Sequence, residues 1–113
     1  MAKDTFKSYE LIEYSFALNG VNVESNAWLG IVPASIRHGD ENINDDDDVA
    51  YKYLEGRIAD EGKKMKNPGV GQWTMRLHTG VGEEIAYASF TVETGYLFQI
   101  FIFLKFKILR RSG

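Results

Sequence analysis

The chain contains no cysteine. It can therefore build neither a disulfide framework nor a thiolate zinc site, and it has no thiol nucleophile. That is compatible with a reducing compartment. The opening residues Met1-Ala2-Lys3-Asp4-Thr5-Phe6-Lys7 lack the apolar run of a secretory signal, so a cytoplasmic location is expected. No apolar run reaches the ~20 residues that a membrane-spanning helix needs. A 3.6-residue hydrophobic period is scarcely visible, which argues against a helical protein. Basic charge is scarce outside the C-terminus: residues 1–94 hold all 16 Asp and Glu but only nine of the 13 Lys and Arg. Such an acidic body repels phosphate, so nucleic acid is not an expected partner.

What is present fits one domain. At 113 residues the chain is long enough to bury a core without disulfides or metal. Hydrophobic residues at 44% and aromatics at 13% exclude a disordered chain. Apolar residues alternate in short runs, and turn clusters separate the runs. Strands are expected over Phe6 to Tyr9, Leu11 to Leu18, Trp28 to Val32, Val49 to Leu54, Gly62 to Lys66, Gln72 to His78 and Glu84 to Val92. Asn19-Gly20 and Asn67-Pro68-Gly69 are turn signals, and Pro33 ends the ladder of its strand. Lys63, Lys64 and Lys66 blunt an edge. Residues 34–48 read as a long polar loop, and Val49 to Ala59 has a short helix as its rival reading. The apolar phases predict a core of Ile12, Tyr14, Phe16, Trp28, Ile31, Tyr51, Leu54, Trp73, Met75, Leu77, Tyr87 and Phe90. The expected class is all-β: an antiparallel β-sandwich over residues 1–94, with an extension over 95–113.

Six short stretches carry a resemblance. They are Tyr9-Glu10-x-Ile12, Ala27-Trp28-x-Gly30-Ile31-Val32-Pro33, His38-Gly39-x-Glu41, Tyr51-x-Tyr53-Leu54, Pro68-Gly69 and Trp73-x-Met75-Arg76-Leu77. Together, over about residues 5–93, they resemble immunoglobulin-like modules of bacterial multidomain proteins and the SKICH-type sandwich of eukaryotic adaptors. The resemblance implies a seven-stranded sandwich used for binding or as a spacer, and it brings no catalytic residues. Two departures stand out: the domain is alone in this chain, and it runs into an unrelated tail.

Candidate chemistry is sparse. The densest set of ligating atoms is Asp40, Glu41, Asp45, Asp46, Asp47 and Asp48. Oxygen-rich loops suit Ca²⁺, but the spacing is not that of an EF-hand, so the choice is between a low-affinity Ca²⁺ site and a solvated acidic loop. His38 and His78 are the only histidines; either is a candidate base given a partner and a pocket. The serines sit in no nucleophile-elbow context. Glu83 and Glu84 are strand neighbours that face opposite ways. Gly80-Val81-Gly82 is too short for a phosphate loop. Trp28 and Trp73 suit a carbohydrate platform if exposed and the core if buried.

The tail is the second signal. Leu97, Phe98, Ile100, Phe101, Ile102, Phe103, Leu104, Phe106, Ile108 and Leu109 make it strongly apolar, and Lys105, Lys107, Arg110 and Arg111 make it basic. An exposed apolar strand aggregates, so it needs a cover. Three covers compete: a last sandwich strand, a second subunit, or a membrane surface with Arg110 and Arg111 at the headgroups. The expectation is a homodimer joined through Leu97 to Ile108, in a non-enzymatic binding or interaction module open to a further protein partner. No cofactor is expected beyond the Ca²⁺ reading. The alternative is a small hydrolase-like or ligand-processing protein using His38 or His78 with loop carboxylates.

Overall fold

The computed structural model describes residues 3–95. In chain order the elements are β1 (Thr5–Lys7), β2 (Ile12–Ala17), β3 (Trp28–Pro33), α1 (Glu41–Asp47), β4 (Ala50–Tyr53), β5 (Ala59–Met65), β6 (Gly71–His78) and β7 (Glu84–Glu93). The fold is all-β with one short helix. Five strands form a sheet in the order β1-β7-β6-β3-β4, and β2 pairs with β5 in a second. All pairs are antiparallel except β1 with β7. Asn19 and Gly20 both take positive φ, as their turn requires. Among the described residues no helix is long and apolar enough to cross a membrane.

The core lies between the two sheets. Leu29 and Ile31 of β3 stand opposite Leu77 and Met75 of β6. Phe90 and Val92 of β7 join the same cluster, as do Ile12 and Met65 of the second sheet, with Phe6, Leu18 and Leu54. Each such side chain contributes about 1.5–3 kcal/mol when fully buried. Tyr14, Phe16 and Trp73 are only partly buried against this cluster.

Three expectations are corrected. Tyr51 and Tyr87, expected in the core, are 56% and 58% exposed. They lie on the outer face of the large sheet, opposite Gly30 and Arg76 respectively. Trp28 is buried, but on that same outer face, where it pairs with His78. Residues 34–48 are not all loop, because they contain α1. Its N-cap is Asp40, whose side chain accepts from the backbone N–H groups of Asn42 and Ile43. The helical rival over Val49 to Ala59 gives way to β4 and a turn. The proposed interface residues Leu97, Phe98, Ile100, Phe101, Ile102, Phe103, Leu104, Phe106 and Ile108 lie outside the described residues.

Candidate functional site

Strand alternation sends two sets of side chains away from the core, onto the outer face of the large sheet. β3 supplies Trp28, Gly30 and Val32; β6 supplies His78, Arg76 and Thr74 directly opposite them. β4 extends the row with Tyr53 beside Trp28 and Tyr51 beside Gly30. Over the middle of this face lie α1 and the segment 34–40, so β3 and β6 are covered on both sides. That is why polar residues of β6 are buried: Arg76 and His78 are both 0% exposed.

Burial on this scale requires partners, and Arg76 has a full set. Its Nε donates to Thr74 Oγ1 at 2.7 Å. Its Nη1 donates to Asn44 Oδ1 at 2.9 Å, to the Arg37 carbonyl at 3.1 Å and to Glu84 Oε1 at 3.4 Å. Its Nη2 donates to the carbonyls of Ile36 and Pro33. The guanidinium therefore ties the incoming loop to the sheet. Asn44 of α1 completes the web, donating from Nδ2 to Glu84 Oε1 at 2.8 Å and to His78 Nε2 at 3.0 Å. The second bond requires an unprotonated Nε2, so the His78 proton sits on Nδ1 and points to the Trp28 carbonyl at 3.3 Å.

Trp28 lies flat on His78, with ring centroids 3.8 Å apart. Its indole N–H donates to Glu41 Oε2 at 3.0 Å. The other Glu41 oxygen accepts from the backbone N–H groups of Gly80 and Gly82. The Gly80-Val81-Gly82 turn, too short to hold a phosphate, thus cradles a carboxylate of its own chain. Gly30 is required beneath the indole: a Cβ there would lie 2.4 Å from Trp28 Cζ3.

The electrostatics follow from this packing. Burial lowers the pKa of His78, against the smaller opposing pulls of the Trp28 carbonyl, Glu41 and Glu84. Burial also pushes Glu84 up, but hydrogen bonds from His38, Asn44 and the Gly39 N–H together outweigh it and leave a lowered pKa. His38 Nδ1 sits 2.6 Å from Glu84 Oε2, and its ring packs on Tyr87 at 4.2 Å. Asp48, the C-cap of α1, is pushed up to about 6 by burial and by the Asp45 carboxylate. Its Oδ2 is buried without a hydrogen-bond partner.

The six acidic residues singled out in sequence are therefore spread over different tasks. Asp40 caps α1, Glu41 holds Trp28 and the Gly80 turn, and Asp45, Asp46 and Asp47 lie along the helix that Asp48 ends. Among the described residues no three His, Asp or Glu side chains converge as metal ligands. The two histidines do share a carboxylate-centred web, as the alternative function needs, but His78 is fully buried within it. Asn44 was not singled out in the sequence; Glu84 was weighed only as the neighbour of Glu83, and Tyr53 only within the Tyr51-x-Tyr53-Leu54 stretch. Asn44 and Glu84 carry no local signal, because apart from the Arg76–Glu84 contact their partners lie 32 to 46 residues away.

At the β4 end the cover stops, and a cavity of about 240 Å³ opens beside the web. Trp28, Tyr51, Tyr53, Glu41, Asn42 and Asp45 line it, together with Asn26. Trp28 meets Tyr51 edge to face at 6.4 Å, and Tyr51 meets Tyr53 edge to face at 5.7 Å. Both tyrosines are more than half exposed. Comparison of the chain with protein families, with curated proteins and with solved structures finds no match.

Proposed function

We propose that this chain is a non-enzymatic binding module of immunoglobulin-like type, and that its binding face is the outer surface at β4. The strand order supports the type. Pairing of β2 with β5, beside a sheet ordered β7-β6-β3-β4, corresponds to the B–E and G–F–C–C′ groupings of immunoglobulin-like sandwiches. One observation carries the choice of face: Tyr51 and Tyr53 stand exposed over a lined cavity. The groups with catalytic potential are instead engaged with one another, His38 with Glu84 at the surface and Arg76, His78 and Asn44 in the interior. Large amphipathic rings at low entropic cost are what a recognition surface uses.

The test is an array of peptides, saccharides and small metabolites probed with the full chain and with the double variant Tyr51→Ala/Tyr53→Ala. The wild type retains one ligand class and the variant loses it, at an unchanged melting temperature. Equal retention by both proteins overturns this choice of face. Hydrolysis of an ester or peptide panel that disappears in His38→Gln supports the enzymatic alternative instead.

Self-association through the tail is a second reading, and one feature favours it. An apolar groove of about 210 Å³ runs between β2 and β7, lined by Tyr14, Phe16, Leu29, Met75, Ala86 and Ala88 among others. β2 pairs only with β5, so its other edge is free among the described residues. The apolar character of residues 96–109 suits this groove, and part of that segment from a second copy would extend the two-stranded sheet along the free edge of β2. The full chain then sediments as a dimer, and Ala88→Arg in the groove converts it to a monomer. A monomeric wild type overturns this reading.

A further inference from the structure

We propose that the cavity bounded by Trp28, Tyr51 and Tyr53 binds a compact organic cation, an alkylated ammonium group. The inference rests on the reading of the β4 face as the binding surface and adds the ligand's chemistry. Three features carry it.

The first is ring geometry. The planes of Trp28 and Tyr51 are 86° apart, and those of Tyr51 and Tyr53 are 82° apart. Successive perpendicular rings form corners and not a flat shelf. A flat shelf suits the face of a sugar ring. A corner presents ring π-surface from several directions, which suits a roughly spherical cation attracted by the negative face of each ring.

The second is charge. Glu41 and Asp45 both contribute carboxylates to the lining, and no Lys or Arg is among the lining residues. An alkylated ammonium offers few hydrogen-bond donors and needs few acceptors, so the already engaged oxygens of Glu41 are no obstacle to it.

The third is preparation and size. Trp28 is held by its stack on His78 and its bond to Glu41 before any ligand arrives, which limits the entropy lost on binding. The cavity, at about 240 Å³, lies below the roughly 300–1,000 Å³ of drug-sized sites. It fits a single headgroup.

The experiment is an NMR titration of the full chain with choline, at constant ionic strength, beside its neutral carbon isostere 3,3-dimethylbutan-1-ol and beside glucose. Choline is expected to shift the Trp28 indole N–H and the Tyr51 and Tyr53 amides saturably, with the isostere about tenfold weaker or more. Tyr51→Ala and Tyr53→Ala each weaken choline binding by roughly two- to fivefold, and Asp45→Asn weakens it as well. All three positions are exposed, and an unchanged melting temperature shows that the variants fold. Equal binding of choline and the isostere overturns the cation inference and leaves the binding face standing, as does a response to glucose alone. Silence toward choline overturns the inference outright, and the array experiment then decides separately whether the face binds anything.

Discussion

The indole of Trp28 lies on the imidazole of His78 with the two planes 18° apart. The two residues are a cross-strand pair of β3 and β6, and their stack is where the closed and open parts of the outer face meet. On one side the His78 ring enters the web of Asn44, Arg76 and Glu84. On the other, the Trp28 ring forms a wall of the cavity under Tyr51 and Tyr53. The stack therefore joins the web to the wall of the cavity.

Gly30→Ala tests how tightly the Trp28 ring is seated. The added methyl meets the Trp28 ring at 2.4 Å, and the buried ring has little room to yield. The expected loss is about 1–3 kcal/mol, the usual cost of overpacking, with an altered Trp28 fluorescence maximum. Wild-type stability in urea together with an unmoved spectrum refutes the contact.

Arg76 is the clasp of the web, and its geometry is specific to a guanidinium. Arg76→Met leaves the Glu84 carboxylate and the Ile36 and Arg37 carbonyls without this donor, and is expected to destabilise by about 3–5 kcal/mol. Arg76→Lys is expected to lose much of the same stability, since one ammonium cannot serve partners on both sides of the fork. A lysine variant as stable as the wild type in chemical denaturation removes the clasp from the account.

Asp48 works against folding at neutral pH. Its folded pKa of about 6 lies above the ordinary 3.8, so between those values the folded state binds more protons than the unfolded one. Stability therefore rises as pH falls from about 6 to about 4 on account of this residue. Asp48→Asn is expected to gain about 1 kcal/mol above pH 6, after allowing for solvent screening of a partly exposed group. The gain fades toward pH 4. Melting curves of the two proteins that stay parallel across this range contradict the assignment.

His78 acts in the opposite sense. Its folded pKa is lowered by burial, so the unfolded chain takes up the proton first. The contribution to stability is complete above about pH 6.5, the unfolded value, and declines as the pH falls below it. Nitrogen-15 NMR is expected to find a neutral ring with the proton on Nδ1 at pH 7. A charged ring, or a proton on Nε2, breaks the bond to Asn44 and with it this description of the web.

Much of the strand layout was legible. Ile12, Leu29, Ile31, Met75, Leu77 and Phe90 mark an alternating apolar face, and the strands they predict are present with ends shifted by a few residues. The helix α1 was obscured by its own charge. Asp45, Asp46 and Asp47 crowd its C-terminal half, where negative charge opposes the helix dipole. The only favourable local signs were Asp40 at the N-cap and Glu41 in the first turn. Long-range bonds from Glu41 and Asn44 offset that penalty, and no window of sequence contains them. Tyr51 and Tyr87 were misplaced for a different reason. Alternation separates the two faces of a strand without saying which face is covered, and aromatic rings suit a core and an exposed surface equally well.

By itself the sequence determined that this is an all-β chain, because a period of two with β-branched and aromatic residues commits the backbone locally to strands. It also determined which residues of a strand share a face, and left open which face the second sheet covers. Only the tertiary structure decided that Arg76, His78, Asn44 and Glu84 form one closed web, and that Trp28 is shared between this web and an open cavity with Tyr51 and Tyr53. These residues come from five elements, β3, α1, β4, β6 and β7. They meet because a buried charge must find its partners wherever the fold brings them.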